Sequence, residues 1–173
     1  MQKEAQYKAA VEANKDRLYR ICCCYVRDDE ARKDVFQEVL IHLWKGLDSF
    51  EGKSGISTWM YRIAVNTCLG YVRTEKRRRR LFDENAQVDH ETIPDETPDS
   101  NDPGPEQDLE RLYGCIDQLQ PLQKTLVSLY LEDLSTAEMA DVLGISEANV
   151  RVKIHRIKKQ LKEMMNGESH GSR

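Results

Sequence analysis

No run of eighteen apolar residues occurs in the 173-residue chain, so the sequence offers no candidate transmembrane helix. The opening MQKEAQYKAAVEANKDRLYR lacks the long apolar core of a secretory signal. A cytoplasmic location without direct membrane insertion is therefore expected. Cysteines number five, an odd total with no CxxC unit. That excludes an ordinary disulfide framework and argues against a zinc site. Cys22, Cys23 and Cys24 are consecutive in a helical pattern, and small buried hydrophobes are the expected identity of several of the five. No GxxxxGK[ST] arrangement is present to cradle a nucleotide phosphate. His42, His90, His155 and His170 show no clustered ligand spacing, and no acids converge with a nucleophile or base in the folded segments. No metal, cofactor or catalytic site is expected, and the chain does not read as an enzyme.

Excess charge of one sign is also missing overall, at a net -4. It is present locally. Between Asp83 and Glu110 there is no Lys or Arg, while acids recur and Pro94, Pro98, Pro103 and Pro105 break any period. This window reads as a flexible acidic linker. The expected organisation is all-α, with two small helical domains over 1–82 and 108–165. The linker covers 83–107, and 166–173 forms a disordered tail.

Helical spacing relates Tyr7, Val11, Asn14, Leu18, Ile21 and Tyr25 in a first helix. Asp28 and Asp29 can cap a second, EARKDVFQEVLIHLWKGL, and no proline interrupts either. The second helix is apolar on more than one side, through Val35, Val39, Leu43 and Leu47 and through Phe36, Leu40 and Trp44. Burial between neighbouring helices accounts for these residues. The competing reading makes the edge with Asp34, Gln37 and Glu38 a partner surface. After the loop DSFEGKSGIST, the stretch ISTWMYRIAVNTCLGYVRTEKRRRR begins amphipathic and ends basic. Ile56, Met60, Ile63, Ala64, Thr67 and Tyr71 fall on the expected core side. Arg62, Asn66, Arg73 and Arg77 fall beside them, with Trp59 at the seam and Lys76 adjacent. A solvated helix end complementing the negative C-terminal dipole explains the charge, but not the tryptophan and asparagine.

The C-terminal part carries sharper punctuation. Leu109, Leu112, Ile116 and Leu119 form one helical row, and Pro121 can open the next helix, with Leu122, Leu126 and Leu129 on one face. Ser135 followed by Glu138 is a capping box, Gly144 ends a short helix over Ala137, Met139, Ala140 and Leu143, and Ser146 caps a longer one. Val150, Ile154, Ile157 and Leu161 supply that last helix with a core row, leaving Arg151, Lys153, Arg156 and Lys158 available elsewhere. Short helix, Gly-Ile-Ser turn and basic second helix together make a helix-turn-helix. A generic helical hairpin with a solvated basic face is the weaker alternative.

The chain resembles a bacterial RNA polymerase sigma factor of the small extracytoplasmic-function class. DVFQEVLIHLWKGLDSF resembles the polymerase-binding helix of region two, and TWMYRIAVNTCLGYVRTEKRR its promoter-melting, minus-ten-reading helix. LQPLQKTLVSLYLEDLSTAEMADVLGISEANVRVKIHRIKKQL resembles region four. The resemblance implies that Asp34, Gln37, Glu38 and Leu40, with Trp44, dock on the clamp of the polymerase's largest subunit. Trp59, Arg62 and Asn66 would face the minus-ten element, beside a base-pocket loop running from Phe50 through Lys53 to Ile56. Arg73, Lys76 and Arg77 would hold phosphates, and Arg151, Val152, Lys153, His155 and Arg156 would address the minus-thirty-five element. The implied partners are core polymerase, promoter DNA and an anti-sigma factor, often membrane-linked. One departure stands out. Many relatives carry an aspartate where this chain has Gly70, a residue costing about 1 kcal/mol of helix propensity relative to alanine. Close approach of another backbone is one expectation there.

The physical chemistry fits this division. Arg and Lys neutralise phosphate, Asn66 offers both amide functions to a base edge, and an aromatic beside a melted strand offsets the few kcal/mol of unstacking. The linker either tethers the domains or, as the resemblance implies, threads the RNA-exit region of the polymerase. The alternative function is a helix-turn-helix repressor or activator acting without polymerase docking, which leaves the second helix and the aromatic-amide stripe without a purpose. A helical adapter and a metal-dependent enzyme are more remote.

Overall fold

In the computed structural model, residues 2–82 and 104–168 are described, and every regular element among them is helical. The order is α1 (Gln2–Cys23), α2 (Asp29–Gly46), a 3-10 turn (Leu47–Ser49), α3 (Ile56–Phe82), α4 (Pro105–Asp117), α5 (Pro121–Leu131), α6 (Thr136–Leu143) and α7 (Glu147–Glu168). Most of the expected linker and the last five residues of the expected tail lie outside the described residues. α4 begins inside the window read as linker, because Pro105 sits at a first helical position where its missing N–H costs nothing.

α1, α2 and α3 make one three-helix unit. Asp28 caps α2 by accepting a 2.8 Å hydrogen bond from the Ala31 amide. Leu18, Ile21 and Cys22 of α1 meet Val35, Val39 and Leu43 of α2 and Met60, Ala64 and Cys68 of α3. The α1 and α2 rows follow the sequence spacing. The core face of α3 is wider than expected, because Tyr61, Val65 and Cys68 are buried as well. The reason is the second neighbour: α3 packs on both α1 and α2. The Tyr61 hydroxyl donates to Asn14 Oδ1 at 2.9 Å, and Asn14 Nδ2 donates to the Ala10 carbonyl at 2.8 Å, so the polar atoms within this core are satisfied.

α4 to α7 make the second unit. Ser135 caps α6 in a reciprocal box with Glu138, Gly144 takes the left-handed conformation at φ 67°, and the Ile145 amide closes on the Ala140 carbonyl. The short α6, this turn and α7 form the expected helix-turn-helix. α5 departs from a one-faced helix. Thr125, Leu126, Val127, Ser128 and Leu129 are all buried, whereas Leu122 is exposed. α5 has α7 on one side and α1 and α3 of the first unit on the other.

The two units therefore pack on each other, through a buried apolar cluster that runs into both and through polar pairs at the seam. Tyr25 donates a buried 2.6 Å hydrogen bond to Thr125 Oγ1. Arg20 grips Glu132 with two parallel 2.8 Å bonds, and Arg27 pairs with Asp117 at 3.1 Å.

Candidate polymerase and nucleic-acid interfaces

α2 presents one exposed stripe containing Asp34, Gln37, Glu38, Ile41 and Lys45. Among the described residues, none of Asp34, Gln37 or Ile41 makes a side-chain hydrogen bond or ion pair to another element, and all three are exposed. Ile41 is half exposed and lies in register with the acidic-amide edge, an apolar centre that the sequence reading passed over. The available signal was a large apolar residue three and four positions beyond Glu38 and Gln37. Leu40 and Trp44 lie to one side of the stripe. Leu40 is half-buried, and its carbonyl accepts a 3.0 Å bond from Tyr7. Trp44 stands edge-on to Tyr7, with the Lys3 ammonium 4.6 Å from its ring centroid.

α3 carries the second surface. Trp59 is half-buried and leans on Phe50 with ring centroids 5.2 Å apart. A Cβ on Gly46 would stand 3.1 Å from Trp59 Cζ2, so the glycine at the end of α2 makes room for this ring. The tryptophan is thus fixed between the loop and α2, with Asn66 exposed two turns further on. Arg73, Lys76 and Arg77 are exposed and form no ion pair among the described residues, while Arg78 pairs with Glu75. Lys53 is also exposed and pairs with Glu51 within the loop.

Beside Asn66 runs a groove of about 630 Å³ between α2 and α3, lined by Glu38, His42, Thr67, Gly70 and Tyr71 among others. Thr67 Oγ1 donates to the Ile63 carbonyl, so at 3.0 Å from His42 Nδ1 it accepts from the ring N–H. Gly70 opens onto this groove, and a Cβ there would meet nothing within 4 Å. The close backbone approach expected at Gly70 is absent. The glycine leaves space that a side chain would fill.

Arg62 is not free. Its Nη2 donates to the backbone carbonyl of Asp141 and lies 3.2 Å from that residue's carboxylate, across the seam between the units.

On α7, Arg151, Val152, His155 and Arg156 share an exposed face near the helix N-terminus, while Lys153 turns away and is half-buried. Arg151 pairs with Glu147 at 2.8 Å. Arg156 has no such partner among the described residues.

Comparison with known proteins matches residues 10–78 to sigma-70 region 2 and residues 109–161 to sigma-70 region 4. The ECF RNA polymerase sigma-E factor of Haemophilus influenzae is 33% identical over 136 residues, covering 74% of this chain and 71% of that protein. The ECF sigma factor SigW of Bacillus subtilis is 29% identical, covering 89% of this chain and 88% of that protein. Against SigG of Mycobacterium tuberculosis, 28% identical over 92% of this chain, the match spans only 49% of the relative's length. Among solved structures, RpoE of Bartonella quintana, in complex with the anti-sigma factor NepR, superposes with a TM-score of 0.70 at 19% identity, covering 93% of this chain and 97% of that one. CnrH in complex with the cytosolic domain of CnrY gives 0.69 at 19% identity, covering 95% and 90%. The two-unit helical fold is shared with both, and with both regions matched in order the chain belongs to the extracytoplasmic-function class of bacterial RNA polymerase sigma factors.

Proposed function

We propose that the chain is a dissociable polymerase subunit that recognises promoters, helps to melt them and supports initiation in the cytoplasm, leaving bond-forming chemistry to the polymerase. The observation that carries this reading is the coexistence, in one three-helix unit, of an exposed acidic-amide stripe on α2 and a fixed aromatic, amide and basic stripe on α3. A repressor needs only the helix-turn-helix.

In this reading Asp34, Gln37, Glu38 and Ile41 meet the polymerase clamp, with Leu40 and Trp44 shaping the stripe's flank through Tyr7. Trp59 and Phe50 support the edge of the opened strand, Asn66 reads an unpaired base, and Lys53, Arg62, Arg73, Lys76 and Arg77 hold phosphate. On α7, Arg156 and His155 face base edges beside Val152, and Arg151 joins them when it exchanges Glu147 for DNA. An exposed i,i+4 pair of this kind is worth only about 0.3–0.5 kcal/mol, a small barrier to exchange. Lys153 acts from the margin, on phosphate. The fold shared with two sigma factors solved with anti-sigma partners supports an anti-sigma factor as a further partner.

Reconstitution with core polymerase on supercoiled promoter DNA tests the proposal. A complex and chain-dependent transcripts are expected. Operator binding without any polymerase complex would instead make the protein a regulator of the repressor or activator type.

A further inference from the structure

The groove between α2 and α3 opens beside Asn66, yet holds groups that neither polymerase docking nor the Asn66 amide uses. Its volume of about 630 Å³ falls among those of small-molecule sites, which run from about 300 to 1,000 Å³. Gly70 supplies part of that room, since an added Cβ would meet nothing within 4 Å. The lining includes one carboxylate, that of Glu38, and no lysine or arginine. A phosphate entering here would meet a like charge with no counter-charge, whereas Arg73 and Arg77 stand exposed further along α3. The groove therefore suits the uncharged part of a nucleotide, with the backbone held outside.

His42 gives the groove its polarity. Its Nδ1–H is committed to Thr67 Oγ1 at 3.0 Å, and Thr67 is itself fixed by the Ile63 carbonyl at 2.9 Å. In the neutral ring that leaves Nε2 as an acceptor. Nε2 stands 3.9 Å from Glu38 Oε1, beyond hydrogen-bonding distance, and meets no donor among the described residues. Two neighbouring acceptors, a ring nitrogen and a carboxylate, match the two hydrogens of one amino group. Cytosine carries such a group at N4 and adenine at N6, while thymine offers an acceptor and a methyl group there. In an unpaired base neither hydrogen is spent on a complementary strand. Tyr71 lines the same groove and adds a ring on which a base can stack.

We propose that the α2–α3 groove binds an unpaired promoter base next to the one read by Asn66, with His42 and Glu38 selecting the exocyclic amino group of cytosine or adenine. The proposal rests on reading the α3 stripe as a DNA surface. Glu38 also lies on the edge assigned to polymerase docking, so His42 and Gly70 carry the test. His42 contributes the acceptor, and Gly70 contributes the room.

The experiment uses holoenzyme reconstituted from core polymerase and the full chain. The probes are fluorescein-labelled, premelted promoter fragments whose non-template strand carries each of the four bases at every minus-ten position. Further probes carry pyrimidin-2-one or unsubstituted purine, which lack the amino groups of cytosine and adenine. Anisotropy at fixed salt reports binding. At one position neighbouring the base sensitive to Asn66→Ala, the parent is expected to favour cytosine or adenine over thymine by about fivefold or more. Removing the amino group from the preferred base should abolish that advantage, and which analogue does so identifies the base. His42→Ala and Gly70→Leu, the second by filling the groove, should each erase the preference and leave the one set by Asn66 in place. Circular dichroism and affinity for core polymerase check that fold and docking are kept, and His42→Ala, at an exposed position, carries the test alone should Gly70→Leu fail to fold. A preference that survives His42→Ala overturns the proposal, as does the lack of any amino-group preference at a neighbouring position. In either case a holoenzyme that still responds to Asn66→Ala leaves the sigma-factor reading standing. A chain that forms no complex with core polymerase brings down both.

Discussion

Asn66 differs from the arginines around it in being able both to donate and to accept, so its substitution separates base reading from charge. Asn66→Ala is expected to leave closed promoter binding largely intact, slow open-complex formation and blur sequence preference near minus ten. Premelted templates check this: the parent should retain a base preference there and the mutant should lose it. Equal losses on duplex and premelted DNA at every base would make Asn66 a phosphate contact. Gly70, one turn on, allows a cleaner measurement. A Cβ meets nothing within 4 Å there, so Gly70→Ala should recover about 1 kcal/mol of helix propensity. Thermal denaturation should show a rise of a few degrees. A fall would mean that the groove is filled in solution. From sequence, this glycine suggested a close neighbour. Only the path of α2 past α3 shows that the space is empty.

The elements carry their own tests. Asp34→Ala with Gln37→Ala on α2 should weaken core-polymerase binding while circular dichroism stays native, since neither side chain packs on another helix. Ile41→Ala, which truncates an exposed side chain, should do the same with little cost in stability. Unchanged polymerase affinity in both would assign docking elsewhere. On α6, the Ser135 amide and hydroxyl hold the Glu138 carboxyl below its ordinary range. A depressed folded value contributes stability above the unfolded value of about 4.3, and that contribution is lost as pH falls through the folded value. Ser135→Ala should cost about 1 kcal/mol near neutrality and flatten this part of the acid limb of stability against pH, followed by denaturant titration. On α7, Arg156→Ala should relax discrimination at one promoter position by about 1–3 kcal/mol across single-base variants. A uniform loss with reduced salt sensitivity would mark phosphate contact instead.

At the scale of the whole molecule, the two units share a buried hydrogen bond and a half-buried ion pair, so their stabilities are coupled. Tyr25→Phe removes the donor to Thr125 while that hydroxyl still donates to the Pro121 carbonyl. A cost of about 1 kcal/mol is expected. If the units unfold together, it should appear in a single denaturation transition followed by probes in both. Two separate transitions, with no change in the second, would show that the units do not hold each other in solution. The buried thiols belong to this scale as well. Cys22 and Cys68 stand with sulfurs 3.7 Å apart between α1 and α3, inside the apolar core, consistent with their expected role as small hydrophobes.

The sequence by itself determined the helices, because periodic apolar rows, Asp28, the Ser135–Glu138 box and Gly144 are local devices acting within a turn or two of the chain. The helix-turn-helix was legible for the same reason, as was the basic run at the end of α3. What a row of residues will face is not a local property. The burial of α5 from Thr125 to Leu129, the width of the α3 core, and the choice of Ile41 over Leu40 as the exposed centre of the α2 stripe were settled by which helices lie beside them. Arg20, Glu132 and Asp141 gave no signal in sequence, since single charges on helix surfaces are ordinary there. They acquire meaning only when the tertiary structure brings positions 79 and 112 residues apart within hydrogen-bonding distance, and takes the Glu132 carboxylate out of water.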